Sequence, residues 1–163
     1  MIAAKEENAS TNLFGVEIDH LDMKGASSRI CDWIESDNWS CRFVVTPNVD
    51  HVVMLQSNKG LQAAYEDASM ILADGFPLIV ASKLLGRPLP ERVAGSELVP
   101  ALFEQLESRE KKTTVYLLGA MPGVAVKAAR TIDKLWPHIQ VVGTYSPPFG
   151  FEKDEEELSL IHI

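Results

Sequence analysis

TVYLLGAMPGVAVKAARTIDKLWPHIQVV, residues Thr114–Val142, decides the fold. Thr114–Leu118 is a short continuous apolar run and reads as a strand. Gly119–Gly123 (GAMPG) is a tight loop. Val124–Leu135 reads as a helix closed by Trp136-Pro137, since proline disfavours helix at the residue before it. Ile139–Val142 (IQVV) is a second strand, and Gly143–Gly150 a proline-rich loop. Strand, helix and strand in this order argue parallel strands in an α/β fold.

The same alternation extends back to residue 41. Arg42–Thr46 (RFVVT) is β-branched and stops at Pro47. Val49–Gln56 fits a helix, Ser57-Asn58 interrupts it, and Leu61–Ala68 resumes the pattern. Met70–Ala73 (MILA) is a buried strand ending at Asp74-Gly75. Phe76–Leu85 is an apolar helix with Gly86 as the residue just past its end. Arg87–Arg92 (RPLPER) holds two prolines and is irregular. Gly95-Ser96 opens a helix through about Arg109, with Ser96 as its N-cap. Short apolar strands of this kind suit a sheet covered on both faces. Before residue 41, Asn12–His20 reads as a strand or hairpin arm. Asp22 reads as an N-cap, and Met23–Ser36 as an amphipathic helix carrying Ile30, Trp33 and Ile34. Residues 1–11 are expected to form a loose end.

The expected fold is therefore α/β and Rossmann-like, a mainly parallel sheet flanked by helices. A length of 163 residues suits one such domain. With 46% hydrophobic and 23% charged residues, wholesale disorder and a coiled coil are excluded. No apolar run reaches the roughly 18 residues of a membrane span. The polar start, MIAAKEENASTN, lacks the pattern of a secretory signal. Cys31 and Cys41 make neither a disulfide framework nor a metal spacing, and read as reduced thiols in a cytoplasmic protein. The net charge of −8, from 23 acidic and 15 basic residues, argues against nucleic-acid binding. The acidic run Glu152–Glu157 (EKDEEE) reads as a solvated helix start.

Ligands of open α/β sheets sit outside the carboxyl ends of the strands. Three strand ends carry unusual residues. Asp74 follows an apolar strand, where a partly desolvated carboxylate suits a general base; it could equally cap the next helix or serve as an Asp-Gly turn. Thr46 and Asn48 flank Pro47 and offer a hydroxyl and an amide to a sugar or nucleotide, although Asn48 could simply cap its helix. The Gly119–Gly123 loop could bring backbone close to a diphosphate at a helix start, and a plain tight turn explains it as well. Arg92, in a stiff proline-rich loop with Arg87, could meet a phosphate or carboxylate, or form a surface ion pair with Glu91 or Glu97. His20, His51 and His138 form no ligand spacing. Neither a G-x-S-x-G elbow nor a Cys/His nucleophile pair is present.

Taken together, Thr46-Pro-Asn48, Ala73-Asp74-Gly75, Arg87-Pro-Leu-Pro-Glu-Arg92-Val-x-Gly95-x-Glu-Leu-Val, Leu117-Leu-Gly119-x-x-Pro-Gly123 and Val142-Gly-Thr-Tyr145 resemble, in this order, the WecG/TagA/CpsF glycosyltransferases. The match covers about residues 12–157, the expected catalytic domain. The resemblance implies inverting, metal-independent transfer of an N-acetylmannosamine-type sugar. The donor would be a UDP-sugar, with no other cofactor. The acceptor would be a polyprenyl-diphosphate-linked sugar at the inner face of the bacterial membrane, in teichoic acid, common-antigen or capsule synthesis. Asp74 would be the general base, Thr46 and Asn48 would hold the donor, and Arg92 would meet the diphosphate or the acceptor phosphate. Gly119 and Gly123 would support the nucleotide. The absence of a D-x-D-like motif leaves Arg92 and the helix start after Gly123 to meet the leaving diphosphate.

Members of the family continue with a further strand, a Gly-x-Gly-x-Pro-x-Gln-Glu-like motif and a C-terminal membrane-binding segment. The resemblance therefore implies a sheet incomplete at the C-terminus, with peripheral membrane attachment through the missing segment and small homo-oligomers compatible with it. The last six residues, LSLIHI (Leu158–Ile163), break the amphipathic pattern of Glu152–Glu157 and look like a translated sequencing-library end, so they are expected to be non-native. The rival expectation is a non-catalytic nucleotide-binding module that keeps the Gly119–Gly123 loop without needing Asp74. A purely structural α/β domain that binds no UDP is the third.

Overall fold

The computed structural model describes residues 9–36 and 40–161. It is a mixed α/β structure in two compact units divided after Gln105. The two strand pairs formed beyond residue 40 are both parallel, as expected.

In the first unit, β1 (Ser10–Leu13) and β2 (Val16–Asp19) make an antiparallel hairpin. β1 thus starts inside the stretch expected to be loose; residues 1–8 of that stretch lie outside the described residues. The two-residue turn Phe14-Gly15 has φ of 54° and 87°. Both are positive, as the hairpin turns that match strand twist require. The Asn12 side chain accepts the Gly15 N–H at 3.1 Å and steadies the turn. α1 (Met23–Glu35) is capped by Asp22, whose carboxylate accepts the Gly25 N–H at 2.7 Å. Its fully buried stripe is Ala26, Ser27 and Cys31. Of the three apolar residues expected to anchor it, Ile30 and Trp33 pack partly buried, and Ile34 is exposed.

β3 (Val44–Val45) and β4 (Met70–Ile71) pair in parallel. Between them lie α2 (Val49–Leu55) and α3 (Lys59–Glu66), capped by the side chains of Asn48 and Asn58. The pairing continues beyond the two-residue strands: Leu72 N–H donates to Val45 O at 2.9 Å, and Asp74 N–H to Pro47 O at 2.8 Å. Proline has no N–H to give, but its carbonyl still extends the ladder. On the other flank, Val93 N–H donates to Ala73 O at 2.9 Å. The β4 segment is buried on both sides. Ile71 and Ala73 enter one apolar cluster, with Leu13, Ile18 and Leu78, whereas Met70 and Leu72 enter another, with Val93 and Leu98. Such two-sided burial is why parallel strands read as unbroken apolar runs.

α4 (Phe76–Leu84) ends as expected at Gly86, with φ of 70°. Arg87 N–H reaches back to Ser82 O and Gly86 N–H to Lys83 O, the paired bonds of a left-handed helix end. α5 (Gly95–Ser108) departs from expectation at its start. Glu97 and Leu98 N–H both donate to Ala94 O, so the helix opens on Ala94 and Ser96 lies within its first turn rather than capping it.

In the second unit, β5 (Thr113–Leu118) and β6 (Ile139–Tyr145) pair in parallel through α6 (Val124–Leu135). The expected limits of α6 hold; β6 runs three residues further than expected. The strands are not buried on both faces as the apolar runs suggested. Along β5, Thr113, Val115 and Leu117 are half-buried, whereas Thr114, Tyr116 and Leu118 are exposed. A helical turn (Phe151–Lys153) leads into α7 (Glu155–Ile161), which continues through Leu158 into the stretch expected to be a tail. Among the described residues no helix is long and apolar enough to cross a membrane.

Candidate active site

Sheet register delivers the site of the first unit. Asp74 N–H is bonded to Pro47 O on one side, which sets Asp74 beside the Thr46-Pro47-Asn48 strand end. On the other side Val93 is bonded to Ala73, so the next residues along, Arg92 and Asp74, meet. Arg92 Nη1 donates to Asp74 Oδ1 at 3.4 Å, and Arg92 Nη2 stands 2.7 Å from both Oε1 and Oε2 of Glu97. The Asp74 side chain is 34% exposed and that of Arg92 39%, so both are reachable from solvent. The guanidinium is held above its ordinary range chiefly by the hydrogen bond and charge of Glu97, with Asp74 adding less.

The surrounding backbone is tied down at several points. The Arg87–Arg92 loop is pinned at Leu89, whose N–H donates to the buried Ser82 hydroxyl at 3.0 Å. It is pinned again at Glu91, which accepts the Met23 N–H at 2.9 Å. Glu91 therefore serves the start of α1, and of the two nearby acids Arg92 takes Glu97. Arg87 contributes its backbone to the end of α4, and its side chain is exposed.

Two glycines shape this strand end, Gly95 through close approach and Gly75 through its backbone conformation. A side chain on Gly95 would bring its Cβ to 3.2 Å from Thr46 Oγ1, so glycine lets the Thr46 hydroxyl lie against the start of α5. Gly75 has φ of 141°, a conformation that L side chains rarely adopt, and a Cβ added there would lie 3.9 Å from Asn48 Cβ. This turn lets the chain leave β4 and enter α4 without covering Asp74. Asn48 does cap α2, its Oδ1 accepting the His51 N–H at 3.1 Å, and its side chain is exposed at the same strand end. Thr46, Asn48, Asp74 and Arg92 are thus brought to one sheet end.

Gly119 and Gly123 belong to the second unit. Gly119, Ala120 and Gly123 all have positive φ, of 108°, 62° and 84°, which makes the loop a compact reversal into α6. Gly119 N–H is bonded to Tyr145 O at 2.8 Å, anchoring the loop to the end of β6. A Cβ added at either glycine would meet nothing within 4 Å, so the loop presents open backbone. Tyr145, from the last of the sequence motifs, donates its hydroxyl to Glu157 on α7.

The Arg92–Glu97 pair is one of the two ion pairs that the sequence offers; the position of Glu97 in the first turn of α5 settles it. One further side-chain arrangement escaped the sequence. His51 Nδ1 meets the Tyr65 hydroxyl at 2.8 Å between α2 and α3, a pairing without any spacing signal. Burial pushes the Tyr65 phenol up. Among the described residues no three His, Cys, Asp or Glu side chains gather as a metal ion would need.

The model of the glycosyl transferase WecG/TagA/CpsF family matches residues 11–162. An N-acetylglucosaminyldiphosphoundecaprenol N-acetyl-beta-D-mannosaminyltransferase of Bacillus spizizenii is 31% identical over 117 residues, 72% of this chain and 44% of the relative. The enzyme of the same name from Staphylococcus aureus is 26% identical over 138 residues, 85% of this chain and 54% of the relative. The chain spans about half the length of these curated relatives. With five motifs in order, a parallel α/β framework that joins Asp74 to Arg92, and a family match over nearly the whole length, the chain belongs to the WecG/TagA/CpsF family of glycosyl transferases.

Proposed function

We propose that this chain carries the catalytic base of an inverting, metal-independent sugar transfer. An N-acetylmannosamine-type sugar moves from a UDP-sugar to a polyprenyl-diphosphate-linked acceptor. The observation that supports this best is the Asp74 carboxylate, solvent-reachable at the end of a doubly buried strand, with the Arg92 guanidinium 3.4 Å away. The acceptor hydroxyl oxygen attacks the anomeric carbon as its proton passes to Asp74. The bond from that carbon to the diphosphate breaks, and its electron pair leaves with UDP. A base on one face and charge stabilisation on the other are what this displacement needs. Arg92 meets the diphosphate or the acceptor phosphate, Thr46 and Asn48 hold the donor, and the Gly119–Gly123 loop supports the nucleotide. The acceptor for which the relatives are named, a diphosphoundecaprenol, is a lipid, so the reaction takes place at a membrane surface with the protein bound peripherally.

The gene is first sequenced from genomic DNA past Glu157, and the product is expressed at its full genomic extent. It is assayed with UDP-N-acetylmannosamine and N-acetylglucosaminyl-diphosphopolyprenol. Asp74→Asn should lower transfer by about 10²–10⁴-fold, the range of general-base catalysis, with UDP binding retained. Unchanged transfer would overturn the assignment of the base. UDP binding without any transfer in the parent protein would favour the non-catalytic nucleotide-binding module.

A further inference from the structure

Arg92 stands between two carboxylates and treats them unequally. Its Nη2 takes both oxygens of Glu97 at 2.7 Å, the distance of a strong charge-assisted bond, whereas Nη1 reaches Asp74 only at 3.4 Å. A guanidinium free to choose would close on a lone carboxylate as a two-pronged pair. Here Glu97, in the first turn of α5, holds it back. The anchoring is geometric at both ends. Arg92 precedes Val93, which is bonded to the β4 segment. Glu97 follows Gly95, which lies against Thr46. The Glu97 side chain is 53% exposed, and an ion pair so placed adds little to folding stability. Its value therefore lies elsewhere.

We propose that Glu97 is a positioning residue for the transfer, holding the Arg92 guanidinium beside Asp74 without letting it close on the carboxylate. This rests on Asp74 being the base. Held so, Asp74 keeps oxygen lone pairs free for the acceptor proton, and the rest of the Arg92 donor edge stays open to a phosphate. Released from Glu97, Arg92 closes on Asp74, which blocks the base and withdraws the cation from the phosphate in one movement.

The test uses the product at its full genomic extent, with single-turnover rates at excess enzyme so that slow variants stay measurable. Glu97→Gln keeps the shape and removes the charge; it should lower the transfer rate by about 10–100-fold, as misplacement of a reacting group does. Glu97→Asp should recover most of that loss. In an Arg92→Ala background, Glu97→Gln should change the rate by less than about 2-fold, since residues that act through one another are not additive. Melting temperatures should stay level across the series. A full-sized Glu97→Gln effect in the Arg92→Ala background overturns the proposal and shows a role in the helix start. So does an unchanged rate in Glu97→Gln while Asp74→Asn abolishes transfer. If Asp74→Asn itself transfers normally, the assignment of the base fails, and this inference with it.

Discussion

The carboxylate of Asp19, at the end of β2, accepts the backbone N–H of Ile71 at 2.8 Å in a buried environment. Those residues are 52 apart in the chain, and Ile71 lies three residues before Asp74. The hairpin thus grips the strand whose end carries the candidate base. Replacing Asp19 with Ala leaves the Ile71 N–H without this acceptor and should cost about 1–3 kcal/mol of stability. Chemical denaturation of the two proteins checks this; an unchanged midpoint would mean that the hairpin does not hold β4.

Asn48 serves two ends, and variants separate them. Asn48→Ala should lose about 1 kcal/mol through the missing α2 cap. Asp is an equally good cap, so Asn48→Asp should melt like the parent. It nevertheless sets an anion where the donor diphosphate is proposed to bind. UDP titrations alongside melting curves should show weakened binding without lost stability in Asn48→Asp. Binding that follows stability in both variants would reduce Asn48 to a cap.

Gly143 faces Tyr116 across the β5–β6 pair, and a Cβ there would stand 2.4 Å from the Tyr116 ring. Gly143→Ala should therefore cost about 1 kcal/mol, the lower end of overpacking effects, because the half-exposed ring has some room to move. The same change in a Tyr116→Ala background should be close to neutral. A double-mutant cycle by denaturation measures the difference.

Glu107, on the last turn of α5, accepts the His138 N–H at 2.9 Å and meets His138 Nδ1 at 2.7 Å. Burial pushes its carboxyl up. The backbone and side-chain hydrogen bonds from His138 more than offset that and hold it below the ordinary value of 4.5. A depressed folded value means that the contribution is complete above the ordinary value and is lost as pH falls through the folded one. Melting temperature should accordingly fall on acidification below about pH 4.5, and less steeply in Glu107→Gln. Parallel curves for the two proteins would show that the contact does not contribute.

The local features were legible in the sequence. Asp22 and Asn48 cap their helices through residues three positions away, Gly86 ends α4, and Trp136-Pro137 closes α6. Ser96 misled because a hydroxyl before an apolar run suits a cap, whereas the carbonyl of Ala94 already opens the helix. Arg92 illustrates the limit in the site. Its local sequence offers both Glu91 and Glu97, and the choice follows from Glu91 being drawn to α1, a contact 68 residues away in the chain.

By itself the sequence determined the α/β class, the order of strands and helices, and the family, because caps, turns and apolar runs depend on near neighbours. Only the tertiary structure decided that Asp74, Arg92 and Glu97 form one charged triad, that Asp19 holds β4, and that Tyr116 requires Gly143. Those pairs depend on strand register between distant segments. A hydrogen bond such as Val93 to Ala73 places two residues together only after the sheet has brought their strands side by side.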